Sequence, residues 1–177
     1  MISLKKLLPL PVLALALLAG CGSSSKEAPA SYLFVNSAKS ASVATAANGT
    51  ITLTLKGVDP KTIYFSDRPK RDSGHQNTTD FVNKWNSSDA NDSFKKDPPN
   101  AAIEGTKTGT SQEQSMVVEL TNPRLNGTTL TYTAKRVGTA SKGLSHYKDR
   151  HQASLPHDLT NISVFIDDLC YRTGVGC

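Results

Sequence analysis

The chain has 177 residues and carries 20 Lys and Arg against 15 Asp and Glu, scattered rather than gathered into a basic stripe with interleaved aromatics. That balance excludes a nucleic-acid-binding surface of the usual kind, and the length is that of one domain plus a short leader. Its 3 cysteines contain no CxxC pair, which excludes a thioredoxin-like redox motif.

The first element in chain order is a leader. Lys5 and Lys6 precede an apolar run of 12 residues, Leu7 to Leu18, and the small residues Ala19 and Gly20 follow. This is the charged, apolar and small-residue order of a secretory signal. A spanning helix needs ~20 apolar residues, so the run is too short to remain as an anchor. Leu18-Ala19-Gly20-Cys21 resembles the lipobox of bacterial lipoproteins. The resemblance implies that the Cys21 thiol receives a diacylglycerol, that the chain is cut before it and that the new amine is acylated. An ordinary signal with an incidental cysteine is the plainer alternative. Two or three acyl chains hold a protein stably where one holds it marginally. The expected partner is therefore the lipid bilayer, and the expected location the bacterial cell envelope. Gly22 stands where an Asp tends to retain lipoproteins at the inner membrane, which points to the outer membrane. Loss of Lys5 and Lys6 with the leader leaves 18 basic and 15 acidic residues, a net charge of +3.

Gly22 to Ser31, GSSSKEAPAS, is small, polar and proline-containing, a flexible tether with a root-mean-square reach of roughly 17 Å. The organisation expected is residues 1–20 as leader, 21–31 as lipidated cysteine and tether, and 32–177 as one domain. Within the domain the pattern is β. Tyr32 to Asn36 and Ala41 to Ala46 are short strand candidates, and Asn48-Gly49 then marks a tight turn into Thr50 to Lys56. There Ile51, Leu53 and Leu55 alternate with threonines, giving one buried face. Lys61 to Ser66 is the next strand. Thr78 to Trp85 opens with a capping residue and places Phe81, Val82 and Trp85 on one side, the pattern of a short helix. Ala101 to Gly105 is a weaker strand. Ser115 to Thr121 and Thr128 to Arg136 flank NPRLNG, with Asn126-Gly127 at the turn. Asn161 to Asp167 is a terminal strand. Seven or eight short strands with one short helix predict an all-β antiparallel sandwich, with a closed barrel as the alternative.

Gly57 to Pro69, Asp92 to Ile103 and Val117 to Lys135 together resemble a family of secreted bacterial proteins, over a span from about Tyr32 to Asp167. The resemblance implies one contiguous domain. It implies no activity, ligand or catalytic residue.

Three stretches lack regular patterning: Asp67 to Thr78, Asn86 to Asn100 and Val137 to Leu159. Long loops in compact domains often carry function. In the first, Asp67, Arg68 and His75 offer a carboxylate, a guanidinium and an imidazole to a ligand; alternatively Asp67 fastens the loop by an ion pair to Arg68 or Arg71. In the third, His146, His151 and His157 lie within thirteen residues of Asp149 and Asp158, a donor set for zinc or copper. Their spacing matches no HExxH helix, and a polar loop with unrelated histidines explains them as well. Asp89, Asp92 and Asp97 suggest a calcium loop but lack its central glycine and terminal glutamate. No GxSxG elbow is present. Six N-x-[ST] triplets, at Asn48, Asn77, Asn86, Asn91, Asn126 and Asn161, follow from a chain rich in Asn, Ser and Thr and are not read as glycosylation sites.

Export places Cys170 and Cys177 in an oxidising compartment, where a structural disulfide is expected. Closing so short a ring contributes roughly 2–3 kcal/mol in the chain-entropy model. The functional expectation is a membrane-anchored envelope lipoprotein with a non-enzymatic binding or structural role and no cofactor, its partner an envelope protein or a small ligand. A periplasmic metal-binding protein and a hydrolase sited in the loops are the alternatives.

Overall fold

The computed structural model describes residues 31–89, 93–137 and 155–168. In chain order its elements are β1 (Tyr32–Thr45), β2 (Ile51–Val58), β3 (Lys61–Ser66), β4 (Ser73–Asn77), α1 (Thr78–Ser87), β5 (Asn100–Lys107), β6 (Glu113–Asn126), β7 (Thr129–Arg136) and β8 (Asp158–Asp168). The expected all-β class, seven or eight strands with one short helix, holds: the described residues form eight strands and one helix. All strand pairings are antiparallel. Around the sheet the order β2-β7-β6-β5-β8-β1 returns to β2, so six strands close into a barrel with β3 and β4 appended. The sandwich is thus corrected to its barrel alternative. The β1–β2 pairing makes the difference, because it removes the edges that two packed sheets would keep.

One edge of β1 serves two neighbours. Tyr32–Val35 pair with β3 and Ala38–Thr45 with β2, while the opposite edge pairs with β8 from Tyr32 to Ser42. The two strands expected at Tyr32–Asn36 and Ala41–Ala46 are therefore one strand of 14 residues. Their apparent separation is a change of phase. Phe34, Asn36 and Ala38 face the core, and after Lys39 and Ser40 the inward set resumes at Ala41 and Val43. The same slip occurs opposite in β2, between Leu55 and Val58, where Gly57 takes φ +64°. In β8 it falls between Leu159 and Ile162, where Asn161 takes φ +52°, and in β5 the register shifts between Glu104 and Thr106. A line of bulges thus crosses four neighbouring strands and bends the sheet, as closure of a narrow barrel requires. β6 has its own bulge between Thr121 and Arg124, at Asn122 with φ +52°. That bulge carries the strand through NPRLN, where the sequence predicts a connection between two strands. Both Asn-Gly turns lie where expected, with Gly49 at φ +82° and Gly127 at φ +57°.

Leu53, Leu55, Ile103, Val118, Leu120, Leu130, Leu159, Val164 and Ile166 are wholly buried. Eight-stranded barrels are just wide enough for side chains to fill, and six strands enclose less, so these residues form a packed core. α1 packs against β3, β4 and β6, and its Phe81, Val82 and Trp85 are buried as the sequence spacing predicts. Trp85 packs at a tilt against Phe94 and Tyr132, at centroid distances of 4.7 and 5.7 Å, and Phe34 lies 5.3 Å from Phe81. Phe94 anchors the Asn86–Asn100 stretch in this cluster, so part of that loop serves packing. Asp67 to Thr78 likewise contains a strand, β4.

Through this apolar interior runs one chain of polar groups. The Tyr132 hydroxyl donates to Asn36 Oδ1 at 2.6 Å, and Asn36 Nδ2 donates to Thr62 Oγ1 at 2.8 Å. Thr62 and Thr78 hydroxyls are 3.0 Å apart, and Thr78 donates onward to the Asp59 carbonyl at 2.8 Å. Thr78 has one proton and spends it on Asp59, so Thr62 is the donor between them. The direction of every bond follows. All four side chains are buried, and burial pushes the Tyr132 phenol well above its ordinary pKa, keeping the donor protonated. Thr78, which looks like a helix cap in sequence, is inside the helix; the N-cap is Asn77, whose side chain makes no capping bond.

Tyr132→Phe leaves the Asn36 carbonyl oxygen buried without its donor and is expected to destabilise the protein by ~1–3 kcal/mol. Thr62→Val should cost a similar amount, and the double variant less than the total of the two, because both break one chain. Urea titrations of the three variants check this; additive losses would show that the bonds act separately. A second expectation concerns Gly105, where an added Cβ would collide with Ile162 Cδ1. The Thr160 carbonyl would lie 3.2 Å away and Ile162 is buried in the core, so Gly105→Val should lower stability by ~1–3 kcal/mol through overpacking. A midpoint shift under ~0.5 kcal/mol, the range of neutral surface changes, would refute the close approach.

Candidate functional site: the β3–β4 hairpin

The candidate loop residues sit on a hairpin appended to the barrel. Its strands pair from Lys61 opposite Asn77 to Phe65 opposite Ser73. Two reciprocal bonds close its tip: Ser66 N–H donates to the Asp72 carbonyl, and Asp72 N–H to Ser66 Oγ, both at 2.8 Å. Inside that clasp Arg71 N–H donates to the Asp67 carbonyl at 3.1 Å, with Arg71 at φ +53°. Asp67 N–H reaches the Ser31 carbonyl at 3.2 Å, so the loop is bonded to the residue that precedes β1. Tyr32, next in sequence, donates its hydroxyl to Asp72 Oδ2 at 3.1 Å. Its pKa is raised by burial first, then by that bond and the carboxylate charge.

Asp67, Arg68 and His75 are all exposed. Among the described residues no hydrogen bond or ion pair joins their side chains to one another. The loop is held by its backbone and by Ser66 and Asp72, and the ion pair from Asp67 to Arg68 or Arg71 does not form. His75 stands on β4 opposite Ile63, away from the tip. His157, at the entrance to β8, is exposed with Nδ1 3.0 Å from Asp158 Oδ2. His146 and His151 lie outside the described residues, as do Cys21, Cys170, Cys177 and Asp92. Among the described residues no three His, Cys, Asp or Glu side chains gather as a metal site. Asp89 is engaged by Lys95 at 2.8 Å, whose hydrogen bond and charge lower its pKa, and Asp97 is exposed.

The outward face of β3 carries what sequence reasoning missed. In KTIYFS, alternation separates Ile63 and Phe65 from Thr62, Tyr64 and Ser66, and hydrophobicity alone would turn Ile63 and Phe65 inward. The opposite holds. Thr62 is consumed by the buried polar chain and Ser66 by the loop clasp, so Ile63 and Phe65 are left 50% and 43% exposed. Strand register continues this apolar surface across two further strands. Ile63 lies opposite Val35, Val35 opposite Phe165, and Phe65 opposite Leu33, all three of these partners half-buried. A cluster of threonine and serine in alternation with large apolar residues was the available signal.

Set beside known protein families, curated proteins and solved structures, the chain matches none of them.

Proposed function

We propose that the protein is an envelope lipoprotein, anchored through acylated Cys21, whose domain works by surface contact rather than by catalysis. The observation that carries this reading is the leader: Lys5 and Lys6, the apolar run Leu7–Leu18, then Leu18-Ala19-Gly20-Cys21. The domain's architecture supports surface contact. Its inward side chains form a packed core and its buried polar chain is satisfied from within, so partners meet the outer face. The outer face offers an apolar strip and a basic loop bonded to Ser31.

In a bacterial host, Cys21→Ser is expected to move the protein from the membrane fraction to the soluble one, because the acyl chains are its only durable anchor. Fractionation of labelled cells reads this directly. A variant that still partitions into detergent as the parent does would overturn the anchor. Export also predicts that Cys170 and Cys177 are bridged, so air-purified protein should show no titratable thiol until denatured and reduced. Two reactive thiols in the native protein would refute the bridge.

A further inference from the structure

We infer that the β3–β4 hairpin is a membrane-docking element: its exposed apolar face enters the headgroup layer of an anionic phospholipid bilayer, and its basic tip holds the lipid phosphates. This rests on the lipid-anchor reading and adds an orientation to it.

Three observations converge. Ile63 and Phe65 are the large hydrophobic side chains left most open among the described residues, and Leu33, Val35 and Phe165 extend their surface over neighbouring strands. Such a patch on a protein surface marks a contact, and side chains of this kind insert into the boundary between headgroups and acyl chains. The second observation is charge. From Lys61 to Asn77 the hairpin carries Lys61, Arg68, Lys70 and Arg71 against Asp67 and Asp72. Arg68, Lys70 and Arg71 are exposed at the tip, where Asp72 is already bonded to Tyr32. Anionic leaflets attract basic residues near their surface.

The third is position. Ten residues separate Cys21 from Tyr32, and the last of them, Ser31, accepts a hydrogen bond from the hairpin tip. The described chain enters β1 at this corner, through Ser31. A patch this small would bind lipid weakly by itself. Tethering makes its contact with the bilayer intramolecular, at an effective concentration in the millimolar range for a short flexible linker, so weak affinity suffices. The same geometry would turn the opposite end of the barrel away from the membrane.

The test uses full-length acylated protein, extracted from membranes and reconstituted into vesicles of phosphatidylethanolamine and phosphatidylglycerol. Phe65→Trp places a reporter on the face, and Ile63→Trp is a second in case the first perturbs the fold; Trp85, buried in the core, is the internal background. Both reporters should shift to shorter wavelength on reconstitution and be quenched by brominated lipid, while parental fluorescence is not. Arg68→Gln with Lys70→Gln, or replacement of phosphatidylglycerol by phosphatidylcholine, should reduce the quenching without changing flotation. Flotation with no quenching of either reporter overturns the docking and leaves the anchor standing. Loss of flotation overturns both. Unquenched reporters together with a Phe65→Ser variant that loses self-association would assign the face to a second copy of the chain instead.

Discussion

The structure depends on a chain of four donated hydrogen bonds that leads from Tyr132 through Asn36, Thr62 and Thr78 to the Asp59 carbonyl. It starts in the barrel wall, on β7 and β1, and ends in the appended hairpin and helix. Apolar packing between these parts is tolerant, because a leucine surface accepts many registers. A buried polar chain is not. Each member has a fixed number of protons and lone pairs, and any displacement leaves one of them unpaired at ~1–3 kcal/mol. Against a total stability of ~5–15 kcal/mol, that penalty is enough to select a single arrangement of hairpin, helix and barrel.

The same chain explains the surface. By drawing Thr62 inward it sets the phase of β3, and the phase of β3 turns Ile63 and Phe65 to solvent. An inward threonine and an outward isoleucine are two results of one constraint. The line of bulges acts in a parallel way on the barrel. It bends β1 near Lys39, so that one strand can close the barrel with its second half and carry the hairpin with its first. Gly105 belongs to that line because Ile162 occupies the space its side chain would need.

These constraints bear on function through placement. A six-stranded barrel with a filled interior has its outer wall available for recognition. The appended hairpin is the least barrel-like piece of the fold, it is bonded to Ser31 ahead of β1, and among the described residues it carries the large apolar side chains left most exposed. Its tip is closed by hydrogen bonds of Ser66, Asp72 and Tyr32, and Arg68, Lys70 and Arg71 are exposed there.

Much of the local structure was legible in the sequence. Period-two alternation located β2 and β7, the Asn-Gly pairs located their turns, and Phe81, Val82 and Trp85 declared the buried face of α1, because each of these signals lies within a few residues of chain. The leader and Cys21 are expectations of the same local kind and lie outside the described residues. What depends on contacts distant in sequence was not legible. The 14-residue β1 looked like two strands, since its inward phase slips at a bulge whose cause is the closure of the barrel. Closure itself, and so barrel over sandwich, was decided by which edges meet. β4 was hidden in a polar stretch, SGHQN, that pairs only because β3 presents a free edge. The outward turn of Ile63 and Phe65 was decided by Asn36 and Tyr132, 26 and 96 residues apart from their partners in the chain of bonds. A hydrogen bond between side chains so far apart leaves no periodic trace in sequence; it exists only once the barrel has brought its members together.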